Sequence, residues 1–124
     1  MNKAMSFIIR KMPIIFVCCL VFTTIMALIP VAEVPDVFNF WDKAQHTFAF
    51  VVLAVMVGFA FPNKIKMMGI GLLLYGASIE LMQTFFTVTR VGEVSDFAAD
   101  CLGISIGLIF YFSINKFTLC LNKK

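Results

Sequence analysis

Residues 77–100 read ASIELMQTFFTVTRVGEVSDFAAD, and the interpretation of this stretch decides the fold. It carries Glu80, Arg90, Glu93, Asp96 and Asp100, yet apolar sequence flanks it on both sides, GIGLLLYG at 69–76 and CLGISIGLIFYFSI at 101–114. At least two of its carboxylates lie inside apolar runs. Whether they are ordinary surface charges or buried ones depends on the solvent, and composition settles that first.

The 124-residue chain is 61% hydrophobic and 14% charged, with a mean hydropathy of +0.98. A soluble domain has about 45–50% apolar and about 25% charged residues, so this chain falls outside that class. Its length allows one domain, residues 1–124. Runs of about 18 apolar residues predict membrane spans. PIIFVCCLVFTTIMALIP (13–30) and AQHTFAFVVLAVMVGFAF (44–61) are two such runs, the second with His46 as its one ionisable group. A third extends from Met67 to about Val88, interrupted by Glu80, and a fourth from Phe97 to Asn115, interrupted by Asp100. The expectation is an all-α, polytopic membrane protein: a bundle of four transmembrane helices at about 12–32, 43–61, 67–88 and 96–116. Arg10 and Lys11 before the first run resemble a signal peptide, but no small-residue cleavage site follows, so that run is expected to remain as a helix.

Four spans put the N-terminus, the 62–66 turn and the C-terminal tail on one side. That side holds Lys3, Arg10, Lys11, Lys64, Lys66, Lys116, Lys123 and Lys124, eight of the ten basic residues. Basic short loops stay cytoplasmic, so both termini are expected inside. The acids Glu33, Asp36, Asp42, Glu80, Glu93, Asp96 and Asp100 fall in the opposite loops or the helix halves next to them, together with Lys43 and Arg90. The net charge of +3 therefore describes a basic inner rim rather than a nucleic-acid binder. Trp41 and the Phe38–Phe40 pair suit an aromatic anchor where the second helix starts. Cys18, Cys19, Cys101 and Cys120 form no C-x-x-C pair and read as small apolar filler.

Helical spacing gathers the polar residues on inward faces. Asp42, His46 and Phe50 share one face of the second helix. Gly69, Leu73, Gly76, Glu80, Gln83 and Thr87 make a small-and-polar stripe on the third. Asp96, Asp100, Gly103 and Gly107 do the same on the fourth, where the G-x-x-x-G step lets backbones approach closely. Gly76, Gly103 and Gly107 are thus packing positions. At about 1.5 Å per residue, His46 and Asp100 lie roughly 6 Å, and Glu80 roughly 12 Å, below the outer boundary. An ionised carboxylate at helix centre costs about 2.5–3.5 kcal/mol, and such residues mark functional sites by default.

The motifs resemble those of the VanZ-like membrane proteins, a family named for a teicoplanin-resistance protein of Gram-positive bacteria. DKAQHTFAF carries Asp42, Lys43, His46 and Phe50 of its D-K-x-x-H-x-x-x-F motif. Glu80, Gln83, Arg90, Asp96, Gly103 and Gly107 match its second motif, with Asp100 standing where the family usually has Asn. The resemblance covers about residues 12–115 and implies a multi-pass protein of the bacterial cytoplasmic membrane and the cell envelope.

Three functions follow from these residues. Asp42, Lys43, His46, Glu80, Gln83, Arg90, Asp96 and Asp100 are expected to form an outward-facing site for an anionic envelope lipid or lipid-linked component, with Arg90 as a bidentate ligand to phosphate or carboxylate. The alternative is an enzyme at the lipid boundary using His46, Glu80, Asp96 and Asp100 for acid–base or metal chemistry. A proton-coupled carrier ranks third, because the inner half of every helix lacks polar groups. No cofactor is expected, no spacing motif for a metal exists, and oligomeric state is open.

Overall fold

A computed structural model describes residues 3–29, 38–88 and 92–121, with side chains described from residue 7 onward apart from 8–9, 38–40 and 121. Arg90, Glu33 and Asp36 lie outside the described residues. Helix α1 spans Lys3–Leu28, α2 Phe38–Ala60, α3 Ile65–Phe86 and α4 Val94–Leu121, and a 3-10 turn at Pro62–Lys64 joins α2 to α3. All four helices are long and apolar enough to cross a membrane, and no strand occurs among the described residues. Lipid offers the backbone no hydrogen bonds, so a spanning segment satisfies its own amides by folding as a helix.

The helices differ from expectation chiefly at their ends. α1 starts well before residue 12, continuing through Pro13, and α4 runs past residue 116 to Leu121. Neither extension contains a further proline or any glycine to break it. At 28 residues α4 is about 42 Å long, more than the roughly 30 Å hydrocarbon layer, so part of it projects beyond the layer. The Pro62–Asn63 turn forms where expected: Phe61 N–H donates to the Val57 carbonyl and Lys64 N–H to that of Phe61, both at 2.9 Å.

α2 and α4 form the tightest pair. A Cβ on Gly103 would strike the Thr47 carbonyl oxygen and one on Gly107 that of Val51, so both glycines let α4 lie against the α2 backbone. Thr47 Oγ1 donates to the Ala99 carbonyl across the same seam at 3.2 Å. Gly58 repeats the device, its Cα facing the Tyr111 ring. Between lipid-solvated helices, close van der Waals packing of this kind is the main adhesive. The core comprises Phe16, Phe50, Leu53, Ala54, Val57, Leu72, Ile79 and Ile104.

On α3 the buried stripe is Gly69, Leu72, Gly76, Ile79, Glu80 and Gln83. Leu73, expected on it, is 37% exposed, whereas Leu72 is 2% exposed. The face packed on α2 and α4 follows the 69–72–76–79–83 line, which turns position 73 towards lipid. α1 is peripheral, with Ile14, Val17, Val21, Phe22, Ile25 and Met26 exposed. It is tied to α3 through Tyr75, whose hydroxyl donates to the Leu20 carbonyl at 2.8 Å and lies 2.9 Å from the Thr24 hydroxyl.

Candidate functional site

One end of the bundle gathers the start of α2, the last turns of α3 and the start of α4. His46, Glu80, Gln83, Asp96 and Asp100 are all buried there, and Asp100 is fully so. The expectation that these polar faces point at one another rather than at lipid is met.

His46 is the hub. Its Nδ1 hydrogen-bonds Asp100 Oδ1 at 3.0 Å and lies 3.8 Å from Glu80 Oε1. The other Glu80 oxygen, Oε2, accepts the Glu93 backbone N–H at 2.9 Å. Glu93 directly precedes α4, so Glu80 satisfies an amide at a helix N-terminus, where the helix dipole favours negative charge. Lys43 lies one turn above His46, its Nζ 3.2 Å from Asp96 Oδ1 and 3.3 Å from Glu93 Oε2. The Ser95 hydroxyl, donating at 2.8 Å, and then the Lys43 ammonium hold the Glu93 carboxyl below its ordinary value.

Three buried carboxylate oxygens, Glu80 Oε1, Asp96 Oδ1 and Asp100 Oδ2, accept no hydrogen bond from the described residues. Lys43 offsets Asp96 through the ion pair and Glu80 Oε1 faces His46 Nδ1 at 3.8 Å, whereas Asp100 Oδ2 has no cation against it among the described residues. Among the described residues acids exceed bases here: Asp42, Glu80, Glu93, Asp96 and Asp100 against Lys43 and His46.

Asp42 and His46 also border a crevice of about 270 Å³ between α1 and α2, floored by Ile79 of α3. Its remaining lining is Phe22, Thr23, Met26, Ala27, Gln45, Ala49 and Phe50. The crevice is apolar along its length and polar where it reaches His46.

Two expected site residues have other commitments. Gln83 Nε2 donates to the Ala27 carbonyl at 3.1 Å, which ties α3 to the end of α1. Gly76 serves the site as much as the packing, because its missing Cβ makes room for Asp100 Oδ2. Sequence spacing did not single out Gly92, whose Cα lies against the Glu80 carbonyl and the Thr84 hydroxyl. Gly92 N–H donates to that hydroxyl at 3.2 Å, so Gly92 and Glu93 lie against the last turns of α3. A glycine directly before Glu93, the acid that precedes α4, was the available signal. The crevice walls left no signal, since Ala49 and Met26 resemble any other residue of a span.

No curated protein and no solved structure matches the chain. A family model described as VanZ/LLP1 does match, over residues 4–115, which reaches from the start of α1 to within six residues of the end of α4 and takes in every residue of the cluster. This multi-pass, four-helix chain, with its buried His46–Asp100–Glu80 centre, belongs to the VanZ/LLP1 family.

Proposed function

We propose that the protein binds an anionic lipid, or a lipid-linked component of the bacterial cell envelope, from the outer leaflet of the cytoplasmic membrane. The crevice carries this reading. It presents apolar walls to a chain and ends at Asp42, Gln45 and His46, where a polar head group would lie. Ligand sites typically combine such an apolar lining with a few convergent polar groups. Lys43 supplies positive charge one turn away, and Arg90, as a bidentate ligand, rests on its place in the sequence. The resemblance to a teicoplanin-resistance family suits a protein acting on envelope lipids at that face.

Mass spectrometry of lipids retained by the detergent-purified chain tests the reading. Ala49→Trp fills the crevice wall and is expected to cut the retained lipid at least about fivefold without lowering the melting temperature, since the site is a half-buried wall. The same lipids at the same ratio in parent and variant would refute it. Expression of parent and variant in a susceptible Gram-positive host, with teicoplanin inhibition as readout, checks the link to resistance.

The His46–Asp100 bond favours a second reading, an enzyme at the lipid boundary. A carboxylate on Nδ1 orients an imidazole and leaves Nε2 to exchange protons. Incubation with an envelope-lipid extract, comparing parent with His46→Ala, distinguishes the two. A new lipid product formed by the parent alone supports catalysis, and retained but unaltered lipid supports binding.

A further inference from the structure

We propose that His46, Glu80 and Asp100 form a binding site for a divalent transition-metal ion, with Zn²⁺ the ion their donor set fits best. One donor atom from each residue lies within 4.8 Å of the other two. His46 Nδ1 is 3.0 Å from Asp100 Oδ1 and 3.8 Å from Glu80 Oε1. Bonds of about 2.0–2.1 Å to a common ion place neighbouring ligands roughly 3.0–3.5 Å apart, so the His46–Asp100 distance already fits and the His46–Glu80 distance shortens to reach that range.

The second observation is independent of that spacing. Asp100 is 0% and Glu80 9% exposed, yet Asp100 Oδ2 and Glu80 Oε1 accept no hydrogen bond from the described residues. Buried carboxylate oxygens in that condition call for a cation or an ordered partner. A dication held by His46 Nδ1, Asp100 Oδ1 and Glu80 Oε1 answers the Glu80 oxygen directly and takes the place of the proton between His46 and Asp100. Asp100 Oδ2, which faces Gly76, gains its countercharge through the same carboxylate. Glu80 is already oriented by the Glu93 amide on Oε2, which turns Oε1 towards His46. A hydrogen bond to a ligand's other oxygen fixes its direction before the ion arrives.

The neighbouring trio Asp42, His46 and Asp96 also meets the distance requirement. There, however, Lys43 already supplies the positive charge to Asp96 Oδ1, at 3.2 Å. One imidazole nitrogen with two carboxylates suits Zn²⁺, with Mn²⁺ next, whereas Mg²⁺ and Ca²⁺ prefer all-oxygen shells. Three protein donors leave a fourth position for a water or a ligand oxygen, the arrangement of reactive rather than purely structural sites. His46 borders the crevice, so that position is within reach of a molecule lying there.

The test needs no lipid and so stands or falls apart from the lipid reading. The detergent-purified full chain is stripped with chelator and titrated with Zn²⁺ in competition with a chromogenic indicator, with stoichiometry measured by elemental analysis. One ion per chain is expected, with a dissociation constant on the order of micromolar or tighter. His46 is the single histidine. His46→Ala, Glu80→Gln and Asp100→Asn are each expected to weaken binding at least about tenfold, and Asp42→Asn by less than about twofold. The two amide variants preserve shape, and helix content with elution volume confirms that each is folded. Affinity should fall between about pH 7.5 and about pH 6, because the ligands must release protons to bind. Absence of stoichiometric Zn²⁺ overturns the proposal, as does equal affinity in the parent and His46→Ala, which would place the ion away from His46.

Discussion

Gly76 and Asp100 share one small volume: a Cβ at position 76 would lie 2.8 Å from Asp100 Oδ2 and 3.3 Å from Phe50 Cζ. The carboxylate sits at full burial because α3 has no side chain where α4 delivers it. Gly76→Ala should therefore displace Asp100 from His46 and destabilise the bundle by about 1–3 kcal/mol, the usual cost of overpacking. Asp100→Ala in the same chain should recover part of that loss. Thermal melts of the two single variants and the double variant check this, and additive losses would show that the two residues do not compete for space.

Gly103 and Gly107 should tolerate substitution even less. The atoms that a Cβ would strike there are the Thr47 and Val51 carbonyls, which cannot turn aside as a flexible side chain can. Gly103→Leu is expected to separate α2 from α4 and to abolish monodisperse folding, whereas Gly71→Leu, at an exposed position with open space around it, should leave the melting temperature unchanged. Size-exclusion profiles of the two variants compare the outcomes.

Lys43 bridges the two acids flanking the start of α4, Glu93 and Asp96. Lys43→Met leaves the buried Asp96 without its cation and should cost about 1–3 kcal/mol, and Asp96→Asn should restore most of it. The pH dependence has a definite sign. Glu93 is held below its ordinary value, so its contribution is present above that value and fades as pH falls through the lower, folded one. Because Glu93 is half exposed, the fade is small, and it should be smaller still in Lys43→Met melts recorded across the acidic range.

Orientation follows from the basic residues alone. With Lys3, Arg10, Lys11, Lys64, Lys66, Lys116, Lys123 and Lys124 on one side, both termini are expected in the cytoplasm. Reporter fusions at Lys124 and within residues 31–36 should report opposite sides of the membrane, and an external C-terminus would reverse the assignment of the site to the outer leaflet.

The number of helices and their approximate limits were legible in the sequence, because lipid leaves a chain this apolar one way to satisfy its backbone. Helical spacing also placed His46, Glu80, Asp96 and Asp100 on inward faces, since a buried charge turned to lipid would be too costly. Spacing along a helix says nothing about which atoms meet between helices. Tertiary packing brought His46 Nδ1 to Asp100 Oδ1 across 54 positions of sequence, and it set Glu80 between His46 and the Glu93 amide. It turned Leu73 outward and Leu72 inward, because the line of contact along α3 drifts relative to a simple stripe. The crevice between α1 and α2 is likewise a product of packing, since its walls are ordinary apolar residues until two helices stand apart over Ile79. Composition and periodicity specify what each helix hides, whereas side-chain volumes and glycine contacts between helices decide what the hidden groups touch.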